Sequence, residues 1–194
     1  MTFYAQEVEQ TGKPIFHSTF SPAELVSGFA ESLIYAEEYG NLPSEVPRRD
    51  VLGPKSRPVV GMEKDIITHK ELIFLCQQLR KSVLSEKHLP ANIQTSNGRV
   101  GLGQFTLLAA HSYLAQAHYE KYEKLRIQQV PRYPDEAFEL DNWIRRNIGE
   151  HWGLPLDYTC NKMAEQARLQ TWTMKPAWLK PPQGPVSEGE RILL

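Results

Sequence analysis

The sequence predicts an all-α fold with one small β-ribbon, and three observations carry that expectation: a duplicated capped helix, a long amphipathic run after residue 101, and a single hairpin signal. The duplication is the most informative. Phe20 to Val46 lies on Ile67 to Ile93 without a gap at a constant shift of 47 residues, which carries Ser21 onto Thr68 and Glu24 onto Glu71. Each pair is a capping box, in which the hydroxyl accepts from the N3 amide and the carboxylate reaches back to the cap amide. Phe20 with Leu25, and Ile67 with Leu72, have the spacing of a hydrophobic staple, and Pro22 suits a first helical turn. Leu25, Val26, Phe29, Leu33, Ile34 and Ala36 form one apolar stripe, and Leu72, Ile73, Cys76, Leu79 and Val83 the other. Gly40 is a natural terminus for the first helix. Leu42-Pro43 and Leu89-Pro90 follow the helices as stops, with Val46 against Ile93 beyond them.

The copies diverge after the helices. In the second, Asn97-Gly98 predicts a tight hairpin, since both residues tolerate positive φ. In the first, Pro47 to Lys64 reads as a loop with a short strand at Pro58 to Met62. From Leu102 to Arg126 the apolar positions Leu102, Phe105, Leu108, Ala109, Tyr113, Ala117 and Leu125 predict a long helix ending in a charged run. Pro131 to Pro134 breaks the chain, after which helices are expected over residues 134–150 and 159–172. A third Leu-Pro at Leu154-Pro155 lacks the capping residues. Residues 1–174 are thus expected as a single helical domain with repeat units at about 20–46 and 67–93, and residues 175–194 as a Pro-rich, irregular tail.

Composition narrows the function classes. The 194 residues are 41% hydrophobic and 23% charged, ordinary values for a packed domain. A net charge of −1 supplies no global field toward nucleic acid or anionic lipid. Cys76 and Cys160 are far apart and predict buried, reduced thiols rather than a disulfide or zinc site. Met1 to Ser18 has no basic region followed by an apolar run, and no stretch approaches the roughly 20 apolar residues of a membrane span. These features predict a cytoplasmic protein, with cell-wall association if the start is truncated.

The second copy in full is a capped helix, Leu89-Pro90-x-x-Ile93, Asn97-Gly98-x-Val100 and Phe105-x-x-Leu108-Ala109. It resembles the pseudomurein-binding repeat, a short module often found in tandem on archaeal wall enzymes and surface proteins. The agreement is best over Ile67 to about Leu114, partial over Phe20 to Val46, and absent from roughly the last 80 residues. The first copy lacks the Gly-x-Val and Phe-x-x-Leu continuation. The resemblance implies a noncatalytic module that binds cell-wall glycan or peptide.

No catalytic, metal or cofactor signature is present. His111 and His118 share a helix face at a spacing of seven, wider than the three or four of adjacent helical ligands, and Gly101-Leu-Gly103 is too short to cradle phosphate. Candidate ligand-binding residues are Trp143, Trp152, Trp172 and Trp178, whose rings suit sugars or Pro-rich peptides, and Arg48 and Arg49 in the basic loop. The commoner role of such tryptophans is to anchor a terminal helix to the core, and of such arginines to be solvated. The alternatives to a binding module are a hydrolase-like enzyme whose site is assembled from scattered residues, and a small nucleic-acid-associated protein using residues 47–64. A protein partner is also compatible with the sequence, whereas the net charge of −1 and missing aromatic interleaving argue against nucleic acid.

Overall fold

The computed structural model of the chain describes residues 1–15, 19–59, 66–95, 98–131, 133, 161–173 and 191–193. In chain order the elements are α1 (Thr2–Thr11), α2 (Pro22–Tyr39), β1 (Glu45–Pro47), β2 (Ile66–Thr68), α3 (His69–Glu86), β3 (Asn92–Thr95), β4 (Gly98–Gly101), α4 (Leu102–Ala117), β5 (Lys124–Arg126), α5 (Asn161–Gln170) and β6 (Arg191–Leu193). The expectation of an all-α fold is therefore corrected to a mixed one. The strands form three two-stranded antiparallel ribbons, β1–β6, β2–β5 and β3–β4. Only β3–β4 carried a hairpin signal; the others are three-residue strands joined across long stretches of chain, too short for an alternating pattern to register.

The duplication extends through the whole unit. Under the 47-residue shift α2 and α3 coincide end for end, each 18 residues long. Both capping boxes are complete: Ser21 Oγ accepts from Glu24 N at 3.2 Å and Ser21 N–H donates to Glu24 Oε2 at 2.7 Å, with Thr68 and Glu71 repeating the pattern at 3.2 and 2.8 Å. Both helices close on a left-handed residue, Gly40 at φ 82° and Lys87 at φ 58°. Gly40 occupies that region without steric cost, whereas Lys87 is the same geometry with a Cβ. The strands β1 and β3 then begin at equivalent positions.

A third helix starts by part of the same device, at Val100 rather than near Leu154-Pro155, which lies outside the described residues. Val100 and Phe105 stand where Phe20 and Leu25 stand in the first copy, both fully buried, and Gln104 Oε1 accepts from the Gly101 amide at 3.2 Å. The cap residue is glycine because a Cβ at Gly101 would fall on the Val59 carbonyl oxygen. Since that contact is backbone, it cannot be relieved by a rotamer change. Gly101→Ala is expected to destabilise by about 1–3 kcal/mol, measured as a fall in the urea midpoint with unchanged slope; an unchanged midpoint would refute the close approach.

The core lies among α2, α3 and α4, with α1 packed on α4. The first three turns of α2 are buried on all sides, including Ala23, Ser27, Gly28 and Glu31, which lie off its apolar stripe. Small side chains on that second face let neighbouring chain approach closely. The expected long helix stops at Ala117 instead of running to Arg126: His118 caps it, Tyr119 takes φ 61°, and the chain returns as β5 to pair with β2, setting buried Leu125 opposite buried Ile67. The N-terminus, given no element by the sequence reading, forms α1, which buries Ala5 and Val8. The expected helix over 134–150 lies outside the described residues, α5 falls within the expected 159–172, and residues 191–193 of the expected irregular tail form a strand. No helix among the described residues is long and apolar enough to cross a membrane.

Candidate functional site

Of the six residues singled out from the sequence, Trp143, Trp152 and Trp178 lie outside the described residues. Trp172 is completely buried just after α5. Tyr133 meets its ring edge-on at 4.8 Å, and its carbonyl accepts from the Ala23 amide at 2.8 Å, satisfying an N–H in the first turn of α2. Burial pushes the Tyr133 hydroxyl well above its ordinary pKa. Gly53 packs beneath: a Cβ there would come within 2.6 Å of Trp172 Cβ, and the Gly53 amide donates to Thr173 Oγ1 at 2.7 Å. The indole N–H has no acceptor among the described residues. Trp172 thus offers no open ring face.

Arg48 and Arg49 are turned toward the carboxylates of α2. Arg48 Nε lies 3.1 Å from Glu24 Oε1, its Nη2 donates to the Thr19 carbonyl at 3.3 Å, and the guanidinium sits 5.0 Å from the Phe20 ring centroid. Glu31 lies between Arg49 at 3.4 Å and Arg80 of α3 at 3.6 Å. These pairs are what allow two glutamates to be buried in α2, since an unpaired buried carboxylate is costly. Lys55, from the same loop, faces Glu86 at 2.9 Å. The loop's cations at 48, 49 and 55 therefore each face a carboxylate rather than forming a free basic stripe.

His111 points to Glu9 of α1 at 3.4 Å, while His118 ends α4. Among the described residues no group of three His, Cys, Asp or Glu side chains is placed to hold a metal ion. Cys76 is fully buried, and desolvation raises its thiol pKa far out of the range of a reactive nucleophile.

The feature that the sequence reading missed is a groove of about 480 Å³ on the second unit, lined by Lys70, Glu71, Phe74, Leu75 and Gln78 of α3 and by Gln94 and Thr95 of β3. Phe74 lies off the buried stripe of α3 and is 52% exposed. Lys70 and Glu71 occupy the end nearest the helix start. The Glu71 carboxylate is occupied there by the Thr68 amide and hydroxyl, at 2.8 and 3.1 Å, whereas Lys70 makes no ion pair among the described residues. At the other end Gln78 Nε2 donates to the Gln94 carbonyl at 2.7 Å, tying helix to strand. That carbonyl lies on the edge of β3 turned away from β4, and in an antiparallel strand the amide of the same residue points to the same side.

The duplication gives this groove an internal comparison. The α3 residues that line it correspond to Ala23, Glu24, Ser27, Gly28 and Glu31 of α2, all of them buried. In the first unit that face meets the Trp172 carbonyl, Arg48 and Arg49; in the second, among the described residues, it lines the groove and no segment covers it. The signal was legible in the aligned copies, where Ala23 becomes Lys70 and Ser27 becomes Phe74. No protein-family model, curated protein or solved structure matches this chain.

Proposed function

We propose that the chain is a noncatalytic binding module for cell-wall polymer, glycan or peptide, and that the ligand lies in the groove between α3 and β3. The observation that carries this reading is the contrast between the two units. One helix face is covered by the chain's own segments in the first copy and left open in the second, where a small residue is replaced by an exposed phenylalanine. An aromatic ring beside amide and hydroxyl groups suits a ligand with alternating apolar and polar surface, such as a sugar ring or an extended peptide. The groove also falls in the unit with the fuller resemblance to the pseudomurein-binding repeat. Pairing of the basic loop with carboxylates weakens the nucleic-acid alternative.

Burying the half-exposed Phe74 ring contributes about 1.5 kcal/mol, close to tenfold in Kd. The full chain is expected to cosediment saturably with insoluble wall preparations, pseudomurein among them, and soluble wall fragments should compete. Phe74→Ala should weaken that binding by about tenfold and lower stability by about 1–1.5 kcal/mol, because the half of the ring already packed on the fold is lost as well. Absence of saturable binding to any wall preparation, or full binding by the Phe74→Ala chain, would overturn the assignment.

A further inference from the structure

The 47-residue shift shows why the groove exists. Arg48, whose guanidinium reaches Glu24 in the first unit, falls on Thr95, and Ala23 falls on Lys70. The short Thr95 side chain turns to its own ribbon, where its hydroxyl donates to the Gly98 carbonyl at 3.0 Å. The groove bounded by Lys70, Phe74 and Thr95 therefore corresponds to the place that Arg48 and the chain at Trp172 fill in the first unit.

The first unit also shows what kind of group that face accepts. The Ala23 amide, in the first turn of α2, donates to the backbone carbonyl of Trp172 at 2.8 Å, so the occupant there is a peptide segment. The equivalent amide in the second unit is that of Lys70, which has no acceptor among the described residues.

The other hydrogen-bonding groups of the groove favour the same class of ligand. Glu71 is engaged by the Thr68 amide and hydroxyl, Gln78 by the Gln94 carbonyl and Thr95 by the Gly98 carbonyl. What the groove offers a ligand is donors: the Lys70 amide, the exposed Lys70 ammonium, and the Gln94 amide on the outer side of β3. Sugar hydroxyls both donate and accept, whereas peptide carbonyls and carboxylates only accept. A carboxylate also complements the ammonium and the positive end of the α3 dipole. Phe74 lies one turn beyond Lys70, about 6 Å along the helix face, a separation that a C-terminal carboxylate and a side chain on its own or the preceding residue can span. From Lys70 to Gln78 is about 12 Å, the reach of about three or four extended residues.

Building on the groove as the binding site, we infer that it selects the peptide part of the polymer, as a short extended segment ending in a carboxylate. The carboxylate meets the Lys70 amide and ammonium, an apolar side chain lies on Phe74, and a carbonyl further along accepts from the Gln94 amide.

The test titrates the full chain calorimetrically with acetyl-Ala-Ala-Leu carrying a free C-terminal carboxylate, with the same peptide as its C-terminal amide, and with wall glycan freed of peptide. The acid is expected to bind about tenfold more tightly than the amide, and the peptide-free glycan not to bind. Lys70→Gln should reduce that ratio to about threefold, the share left by the helix start, without changing the affinity for the amide. Thr95→Arg, which restores the arginine of the first unit, should abolish peptide binding without lowering Tm. Equal binding of acid and amide, an unchanged ratio in Lys70→Gln, or glycan binding that Phe74→Ala removes would each sink the inference, and the last would leave the wall-binding reading standing. Selective binding of the acid by a chain that sediments with no wall preparation would uphold the inference and remove the wall-binding reading instead.

Discussion

Glu24→Ala is expected to cost about 3–5 kcal/mol, against about 0.5–1.5 kcal/mol for Glu71→Ala, although both residues hold the same position in the same capping box. The difference comes from what surrounds the second carboxylate oxygen. Glu24 Oε2 accepts from the Ser21 amide while Oε1 holds Arg48, and the two side chains are 1% and 12% exposed. Removing Glu24 therefore takes its carboxylate from a largely desolvated guanidinium, which the Thr19 carbonyl and the Phe20 ring do not neutralise. Removing Glu71 leaves an exposed helix end whose amides water can solvate. Equilibrium unfolding in urea of the two variants provides the comparison. Glu24→Gln should fall between them, because the amide oxygen still caps the helix while the charge is lost. Equal costs at the two sites would mean that the Glu24–Arg48 pair contributes no more than an exposed cap.

That asymmetry also marks how far the sequence could be read. The caps, staples and helix stops are local, so Ser21, Glu24, Thr68 and Glu71 announced both helix starts, and the Asn97-Gly98 signal announced the β3–β4 ribbon. What sequence periodicity could not register was pairing across distance. The strands β1, β2, β5 and β6 are three residues each, and nothing near Val46 indicates that residues 191–193 will lie beside it. Periodicity also failed at α2, whose apolar stripe is only one of its buried sides; Ala23, Ser27 and Gly28 are small or polar enough to read as solvent-facing. The groove was missed for the converse reason. Phe74 adds one apolar residue to a helix already rich in them, and among the described residues no segment lies over α3 equivalent to the one that covers α2. Arg48 and Arg49 looked like a free basic patch because their partners, Glu24 and Glu31, lie on a different element.

Trp172→Ala is expected to destabilise the protein by about 3–5 kcal/mol, lowering Tm by roughly 6–20 °C. Its ring is completely buried against Tyr133, and the Gly53 backbone approaches so closely that no relaxed side chain there could refill the space. The carbonyl of Trp172 would still be able to accept from Ala23, so the loss should come from the cavity rather than from an orphaned amide. Trp172→Phe should recover part of the stability. It deletes the indole N–H, which has no acceptor among the described residues, and so loses ring volume without breaking a hydrogen bond. The pair of variants distinguishes a core anchor from a ligand platform. An anchor predicts that Trp172→Phe chains still folded at the assay temperature bind wall polymer as tightly as the parent, since the groove lies on α3. If Trp172→Phe instead kept the parental Tm but lost binding, the open face between α3 and β3 would not be where the ligand sits, and the covered face of the first unit would be the site to open.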